Sequence, residues 1–543
     1  MVGLIALILG YIGFSEFAKN DSYQPTFWDL LYYDVQLFVL GADPLQNPGP
    51  YPVALQIARF CAPAVTIYAL VETGRQIFAN EVRRLRVRWV RGHVIVCGTT
   101  PMAEALSRRL RSAGHRVVEV RPAFDPQAVA PRGPLRVSGD ASDPDVLRAA
   151  GVARASALYA CTHDSAANAA TALTAGNARP PSSPPLAAYA QIHDAELCLA
   201  LQAHYLARLR PPRLRLDFFN ADDLAARKLV TEAPLAPVAG RPPQVLVVSA
   251  SAFGRALVVE LARHWRVADL ESRAPLPVTL VDPAADVVVA DLARRYPFLP
   301  DVCRFTAYQQ DLLDLLGHDE LREPPDRAFI CDDNEERALK TAITADRFWR
   351  GAPDSVVVRL DQLAALRERL NFGGSLKVYG VVDAASDPEL IGEDLVGRLA
   401  RVIHDRYRMS RWEYASDPAA RPFTVAWEEL PAQIQLANRA LAEDIWRKLR
   451  AVGCVLVPRG GYDESVLGEA EIDTLAVMEH ERWRKEHADD GWRYAERRDD
   501  VRKLHPAICD WGELSEHVRQ HNQETVRGLP AILSDAGFQI VRG

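Results

Sequence analysis

The stretch from Arg91 to Arg121, RGHVIVCGTTPMAEALSRRLRSAGHRVVEVR, decides the fold. Val94 to Cys97 is a short apolar run closed by Gly98, the pattern of a strand buried on both faces. Met102, Leu106 and Leu110 recur at helical spacing, with Arg108, Arg109 and Arg111 mostly on the opposite side. Gly114 ends that helix and Val117-Val118 opens a second strand. Strand, tight turn, helix, strand is the first half of a dinucleotide-binding unit.

Downstream, the pattern continues and then repeats. Leu135 to Val137 reads as a third strand, followed by Gly139-Asp140-Ala141-Ser142-Asp143 and a helix over 144–150. A strand at 157–160 runs into Cys161-Thr162-His163-Asp164-Ser165, which caps the next helix, and 186–191 is a further strand. A second copy starts at Gln244: strand Val245–Val248, turn Ser249 to Gly254, helix 255–264, and a strand 278–281 ending in Asp282. Ala328 to Asn334 echoes Leu158 to Asp164, so two tandem α/β domains are expected. The last stretch carries another duplication. His404-Asp405-Arg406-Tyr407-Arg408 matches His480-Glu481-Arg482-Trp483-Arg484, and Trp427-x-Glu429-Leu430 matches Trp511-x-Glu513-Leu514. Asn438 and Asn522, then Gly453 and Gly537, keep step with those tryptophans. Each copy predicts a helix, a Trp-containing loop and a second helix ended by Gly.

Upstream, residues 2–18 are apolar, 27–40 are aromatic and half-apolar, and 53–78 form a second apolar helix holding Arg59 and a kink at Pro63. The basic run Arg83, Arg84, Arg86, Arg88 and Arg91 follows, whereas the segment between the apolar helices is acidic. Basic flanks stay inside, which places the C-terminal bulk in the cytoplasm of a multi-pass protein of the cytoplasmic (inner) membrane. Helix, short re-entrant helix, loop, helix is the layout of a two-span pore unit. Gly41, Asp43 and Arg59 are its candidate pore residues, with Asp34 or Glu72 as partner for Arg59.

The expected fold class is therefore α/β plus α. A pore-like membrane region spans 1–80 and a basic linker 81–91. Rossmann-like domains span 92–235 and 243–385, and a mostly helical duplicated domain spans 394–543, with copies at 395–457 and 471–540. A chain of 543 residues exceeds one core. A formal net charge of -7 gives no reason to expect a nucleic-acid partner. Eight scattered cysteines without a CxxC pair argue against a disulfide framework and against a metal site.

Residues 92–200 resemble the nucleotide-binding domains that regulate potassium channels and transporters, the TrkA-N or RCK type. The resemblance is carried by Gly98, by Gly139 to Asp143 and by the Thr162 to Asn168 cap. Residues 395–540 resemble the ryanodine-receptor repeat through His480-Glu481-Arg482-Trp483, Gly491-Trp492-x-Tyr494, Lys503-x-His505-Pro506 and Asp535-Ala536-Gly537-Phe538. The membrane part is similar to a two-span channel pore, yet Phe38 to Asp43 stands where that family's filter would sit.

These resemblances imply an NAD(P) or other adenine-nucleotide site at Gly98, Thr99, Thr100, Glu119, Arg121, Asp140 and Thr162. The fingerprint reads Gly98-x-Thr100-x-x-Ala103, and Arg121 replaces the acid that normally meets the ribose. In the repeat, Arg482, Trp483, Trp492, Tyr494, Lys503 and His505 combine aromatic faces with cations, the types that stack a base and neutralise phosphate. A core role for both tryptophans and a pairing of Arg482 with Glu479 or Glu486 is the alternative there. No nucleophile elbow, P-loop, Tyr-x-x-x-Lys or metal-spaced histidine pair marks an enzyme. The leading expectation is a homo-tetrameric channel-like protein in the lipid bilayer, gated for ions by a nucleotide-like small molecule. The alternatives are a non-conducting anchored sensor or scaffold and a tethered NAD(P)-dependent oxidoreductase.

Overall fold

The computed structural model describes residues 2–19, 24–39, 50–122, 135–180, 182–206, 214–268, 274–318, 321, 323–349, 351–362, 375–411, 425–460 and 466–543. They form two compact units, the first ending at Trp89 and the second starting at Val90.

Among the described residues the first unit holds three helices, Val2–Lys19, Phe27–Leu37 and Val53–Trp89. Thr26 starts the short one with a capping box: it donates its N–H to the Asp29 carboxylate at 2.8 Å and accepts the Asp29 N–H on its hydroxyl. Ala6, Phe14, Leu30, Leu37, Leu55, Ala58 and Ala62 are buried between the helices. Small residues bring the helices together: a Cβ on Gly13 would lie 2.5 Å from the Leu55 nitrogen. Two helices, Val2–Lys19 and Val53–Gly74, are long and apolar enough to cross a membrane.

Three expectations change here. The short helix stops at Leu37. The third helix does not end near residue 78 but runs through Pro63 and through the expected linker to Trp89, because that basic run is made of good helix formers. Arg59 meets neither acid proposed for it; its guanidinium lies over the Tyr51 ring, 5.0 Å from the centroid. Asp34 is instead buried against Gly10, and neither carboxylate oxygen is hydrogen-bonded among the described residues. Gly41 and Asp43 lie outside the described residues.

The second unit holds two six-stranded parallel sheets of the same topology. The first is built from β1 (Val94–Cys97), β2 (Val117–Arg121), β3 (Leu135–Ser138), β4 (Ala157–Ala160), β5 (Leu186–Gln191) and β6 (Leu214–Phe219), in the order β3-β2-β1-β4-β5-β6. The second uses β7 (Val245–Val248), β8 (Leu276–Val281), β9 (Cys303–Tyr308), β10 (Arg327–Ile330), β11 (Val356–Arg359) and β12 (Leu376–Tyr379), in the order β12-β11-β10-β7-β8-β9. Both are the doubly wound order, so both are Rossmann-like. β1 and β7 are buried at every residue, as continuous apolar runs between two parallel neighbours must be. The two domains are stitched through the helix Ala221–Glu232. It carries the Ala225 carbonyl that accepts the Tyr379 hydroxyl at 2.7 Å, and Lys228, which pairs with Asp387 at 2.8 Å.

The C-terminal region is mostly helical and visibly duplicated. Helix Leu395–Arg411, a short turn at Trp427–Glu429, helix Ala432–Ala451 and β13 (Cys454–Pro458) make one copy. Helix Glu469–Asp489, a turn at Trp511–Glu513, helices Glu516–Arg527 and Leu529–Asp535, and a closing strand Phe538–Arg542 make the other. A two-residue pair, β14 (Arg493–Tyr494) with β15 (Leu504–His505), interrupts the second copy, so the closing strand is β16. The matched histidines do the same work: His404 Nε2 bonds the Val425 carbonyl at 2.8 Å and His480 Nε2 that of Cys509 at 2.9 Å. Each ring also lies 5.9 Å from its copy's tryptophan, Trp427 or Trp511. The copies join through antiparallel pairing of β13 with β16, which periodicity did not reveal.

Candidate functional site

The carboxyl ends of β1, β2 and β4 meet where the strand order reverses, the place where open α/β sheets form a binding crevice. Gly98 leaves β1 at φ 121°, and a Cβ there would lie 2.3 Å from the Cys161 carbonyl oxygen. Glycine is what allows the two strand ends to close. Thr99 is exposed and Thr100 buried. Thr100 donates its hydroxyl to the Cys161 carbonyl at 2.6 Å and accepts the Ala103 N–H at 3.2 Å, as N-cap of helix Pro101–Ser112. Pro101 has no N–H, so this helix start offers a pyrophosphate fewer free donors than the full fingerprint does.

Side chains make up the rest of the rim. Arg121 ends β2 and lies 3.1 Å from Glu119 and 3.4 Å from Glu104. Glu119 is buried and committed to protein: it accepts the Ser107 hydroxyl at 2.6 Å and Arg136 Nε at 2.9 Å. Asp140 is exposed, and the Ser142 N–H it accepts at 2.8 Å holds its carboxyl below the usual range. Thr162 is tied to Asn168, whose Oδ1 accepts its N–H at 2.7 Å and its hydroxyl at 2.8 Å. Asn168 also donates Nδ2 to the carbonyls of Thr162 and Gln191, fastening β4 to β5. The sequence marks Asn168 only as the end of the Thr162 to Asn168 cap; its role of fastening two strands shows only in the fold. The crevice therefore gathers Gly98, Thr99, Arg121, Asp140 and Thr162, with Glu119 behind Arg121.

The second Rossmann-like domain repeats the device with different residues. Ser251 donates to the Cys331 carbonyl at 2.5 Å and accepts the Gly254 N–H at 3.2 Å, as Thr100 does in the first. Ser249 takes the place of Gly98, with φ 69°. Asp282 takes the place of Arg121, and its carboxylate is filled by the N–H groups of Ala250 and Ala284, each at 2.8 Å.

In the C-terminal copy, four rings form one half-buried cluster. Trp483 stacks on His487 at 4.0 Å between centroids and meets His505 at 5.0 Å; Trp492 lies 5.7 Å from His487 and 6.1 Å from His505. Burial, then the charges of Arg498 and His487, hold His505 below the ordinary histidine range. Tyr494 is exposed. Arg482 donates to Glu479 at 2.6 and 3.0 Å and to Glu486 at 2.6 Å, and Lys503 lies 3.0 Å from Asp490. The rings are thus brought together, while both cations are engaged by acids of their own segment. Among the described residues no group of histidine, cysteine and acidic side chains is placed to hold a metal. Cys97 is fully buried, and burial pushes its thiol up to about 12.

Comparison with known families settles two of these segments. Residues 94–206 match the TrkA-N domain. Residues 468–542 match the RyR domain. The TrkA-N domain therefore contains the β1–β4 crevice, and the RyR domain contains the ring cluster. No curated protein matches the chain. Among solved structures, the GsuK channel bound to NAD shares 14% identity over 88% of each chain, at a TM-score of 0.39. GsuK bound to ADP shares 15% identity over 72% of this chain and 94% of its own, at 0.38. A dipicolinate synthase chain from Bacillus halodurans shares 10% over 56% of this chain and 94% of its own, at 0.21. Likenesses at these scores carry no functional weight.

Proposed function

We propose that this chain is a membrane-anchored, channel-like protein of the cytoplasmic membrane whose cytosolic TrkA-N domain binds an adenine nucleotide and passes that event to its membrane helices. The observation that carries this reading is the crevice at the β1–β4 switch point of a domain matching TrkA-N, closed by Gly98 and rimmed by Arg121, Asp140 and Thr162. Arg121 in place of a ribose-binding acid favours a ligand with an additional phosphate, NADP over NAD. The two apolar helices support the anchor. A pore from two-span protomers needs several copies around one axis, so a homo-tetramer is part of the proposal. The RyR ring cluster is a second place for a flat, nucleotide-like ligand, supported by the grouping of Trp483, Trp492 and His505. The protein acts here as a sensor, without catalytic turnover.

Calorimetric titration of the full chain in detergent tests the nucleotide. NADP, NAD and ADP are compared on the native protein and on Arg121→Glu. Saturable binding with NADP tighter than NAD, and loss of that preference in the variant, is expected. Equal affinities in both proteins would remove Arg121 from the site. Ion flux from proteoliposomes, with and without nucleotide, separates the channel from an anchored sensor that conducts nothing. Nicotinamide absorbance recorded over candidate substrates covers the oxidoreductase alternative.

A further inference from the structure

A cavity of about 880 Å³ belongs to neither of these sites. It lies where the first Rossmann-like domain, the second, and the duplicated C-terminal region meet. Its volume is within the range of about 300–1,000 Å³ typical of small-molecule pockets. Arginines and acids alternate along its lining, and three of the arginines, from two of these parts, gather around Glu393, with Asp223, Glu260, Asp405 and Glu428 also on the wall. Arg227, on helix Ala221–Glu232, donates to Glu393 at 2.6 Å, and Arg401 reaches the other Glu393 oxygen at 3.3 Å. Arg398, one turn before Arg401 on helix Leu395–Arg411, is half-buried and makes no side-chain hydrogen bond or ion pair among the described residues. Its Nε is buried without an acceptor. It acts on Glu393 and Asp223 only through its charge. Opposite, Arg263 of the second domain spans to the C-terminal region by donating to the Asp535 carbonyl at 2.8 Å.

A planar five-donor group with its Nε out of water and no acceptor is costly unless a partner arrives. Guanidinium groups select carboxylate and phosphate oxygens by paired hydrogen bonds. Arg227 keeps 15% of its side chain accessible although it sits deep between domains, because it faces the cavity. We infer that this three-domain cavity is a second ligand site, distinct from the β1–β4 crevice, which takes a phosphate-bearing small anion of nucleotide size with Arg398 as its first contact. Occupation would tie helix Leu395–Arg411 to both Rossmann-like domains at once, and so link the RyR-containing region to the TrkA-N domain.

Photolabelling of the full chain in detergent with 8-azido-ATP, followed by peptide mapping, tests the location. Equilibrium dialysis with pyrophosphate tests the phosphate chemistry without a base. The expected result is label within residues 390–409 or 250–268, competed by pyrophosphate and reduced at least tenfold in Arg398→Ala. The Arg398 side chain has no hydrogen bond to lose, so that variant still folds, with a cooperative melting transition as the check; Arg398→Lys, which keeps the charge beside Glu393 and Asp223, restores part of the binding. Label confined to residues 98–121 and 162–168 overturns the second site while sparing the first. Absence of label together with no pyrophosphate binding overturns it as well, and so does undiminished labelling of Arg398→Ala.

Discussion

At Gly98, two constraints act on one backbone position: a positive φ and a carbonyl oxygen 2.3 Å from where a Cβ would stand. Gly98→Val should therefore lower stability by about 2–4 kcal/mol, read as a drop in melting temperature, and weaken nucleotide binding in the same preparation. Asp405 gives a test in pH. Burial pushes its carboxyl up to about 6, against the pull of Arg408 and Arg401. Folded protein then holds that proton more tightly than unfolded chain, so stability is lost as pH rises from about 4 to 6. Asp405→Asn should remove that slope; melting curves of both proteins between pH 4 and 7 that run parallel would exclude this group. Gly98 and Arg121 were legible because motif spacing points at them directly. Arg398 was not, since its significance comes from what surrounds it in space, and a sequence read locally shows only an arginine on a helix.

Between elements, the join of the two C-terminal copies is the most informative. Lys448 in helix Ala432–Ala451 is fully buried and bonds Glu479 of helix Glu469–Asp489 at 2.5 Å, with Asp444 at 3.1 Å. Burial alone would raise the Glu479 carboxyl, but the hydrogen bonds of Arg482 and the charge of Lys448 outweigh it and hold it low. A depressed carboxyl stabilises above its unfolded value of about 4.3 and loses that contribution as pH falls through the folded value. Lys448→Ala leaves Glu479 buried with half its partners, and a loss of about 3–5 kcal/mol is expected from chemical denaturation. Lys448→Met with Glu479→Gln should recover much of it. The duplication itself was readable from the matched histidines, tryptophans and glycines. This ion pair was not, because Lys448 and Glu479 belong to different copies and neither has a counterpart that repeats the contact. The pairing of β13 with β16 escaped for a similar reason: each is a short apolar tail after a glycine, and only the partner makes it a strand.

For the molecule as a whole, ion pairs between distant segments hold the three parts of the second unit in one arrangement. Arg227 meets Glu393, Arg295 meets Glu196 at 2.8 Å, and Arg266 meets Asp535 at 3.0 Å. A ligand-driven rearrangement has to exchange some of these contacts, and only differential affinity between the two arrangements drives it. Glu393→Gln should therefore change the nucleotide response more than the nucleotide affinity of the TrkA-N crevice. Hydrogen exchange of helix Leu395–Arg411 with and without nucleotide is the measurement: a protection change in the native protein that is absent in the variant is expected. The two doubly wound sheets were legible as a whole from alternating runs and their repetition. Their mutual seam was not, for it is written in residues such as Tyr379 and Lys228 that look ordinary within their own segments.

The pairing of β13 with β16 has a consequence for synthesis. β13 leaves the ribosome with no strand beside it, and its partner follows only after the whole second copy has been made. Throughout that interval Cys454–Pro458 is an open sheet edge, the kind of surface that recruits foreign strands. The nascent first copy is therefore a stage exposed to mispairing, and slowing translation between β13 and β16 should lower the yield of folded protein more than slowing it upstream of β13.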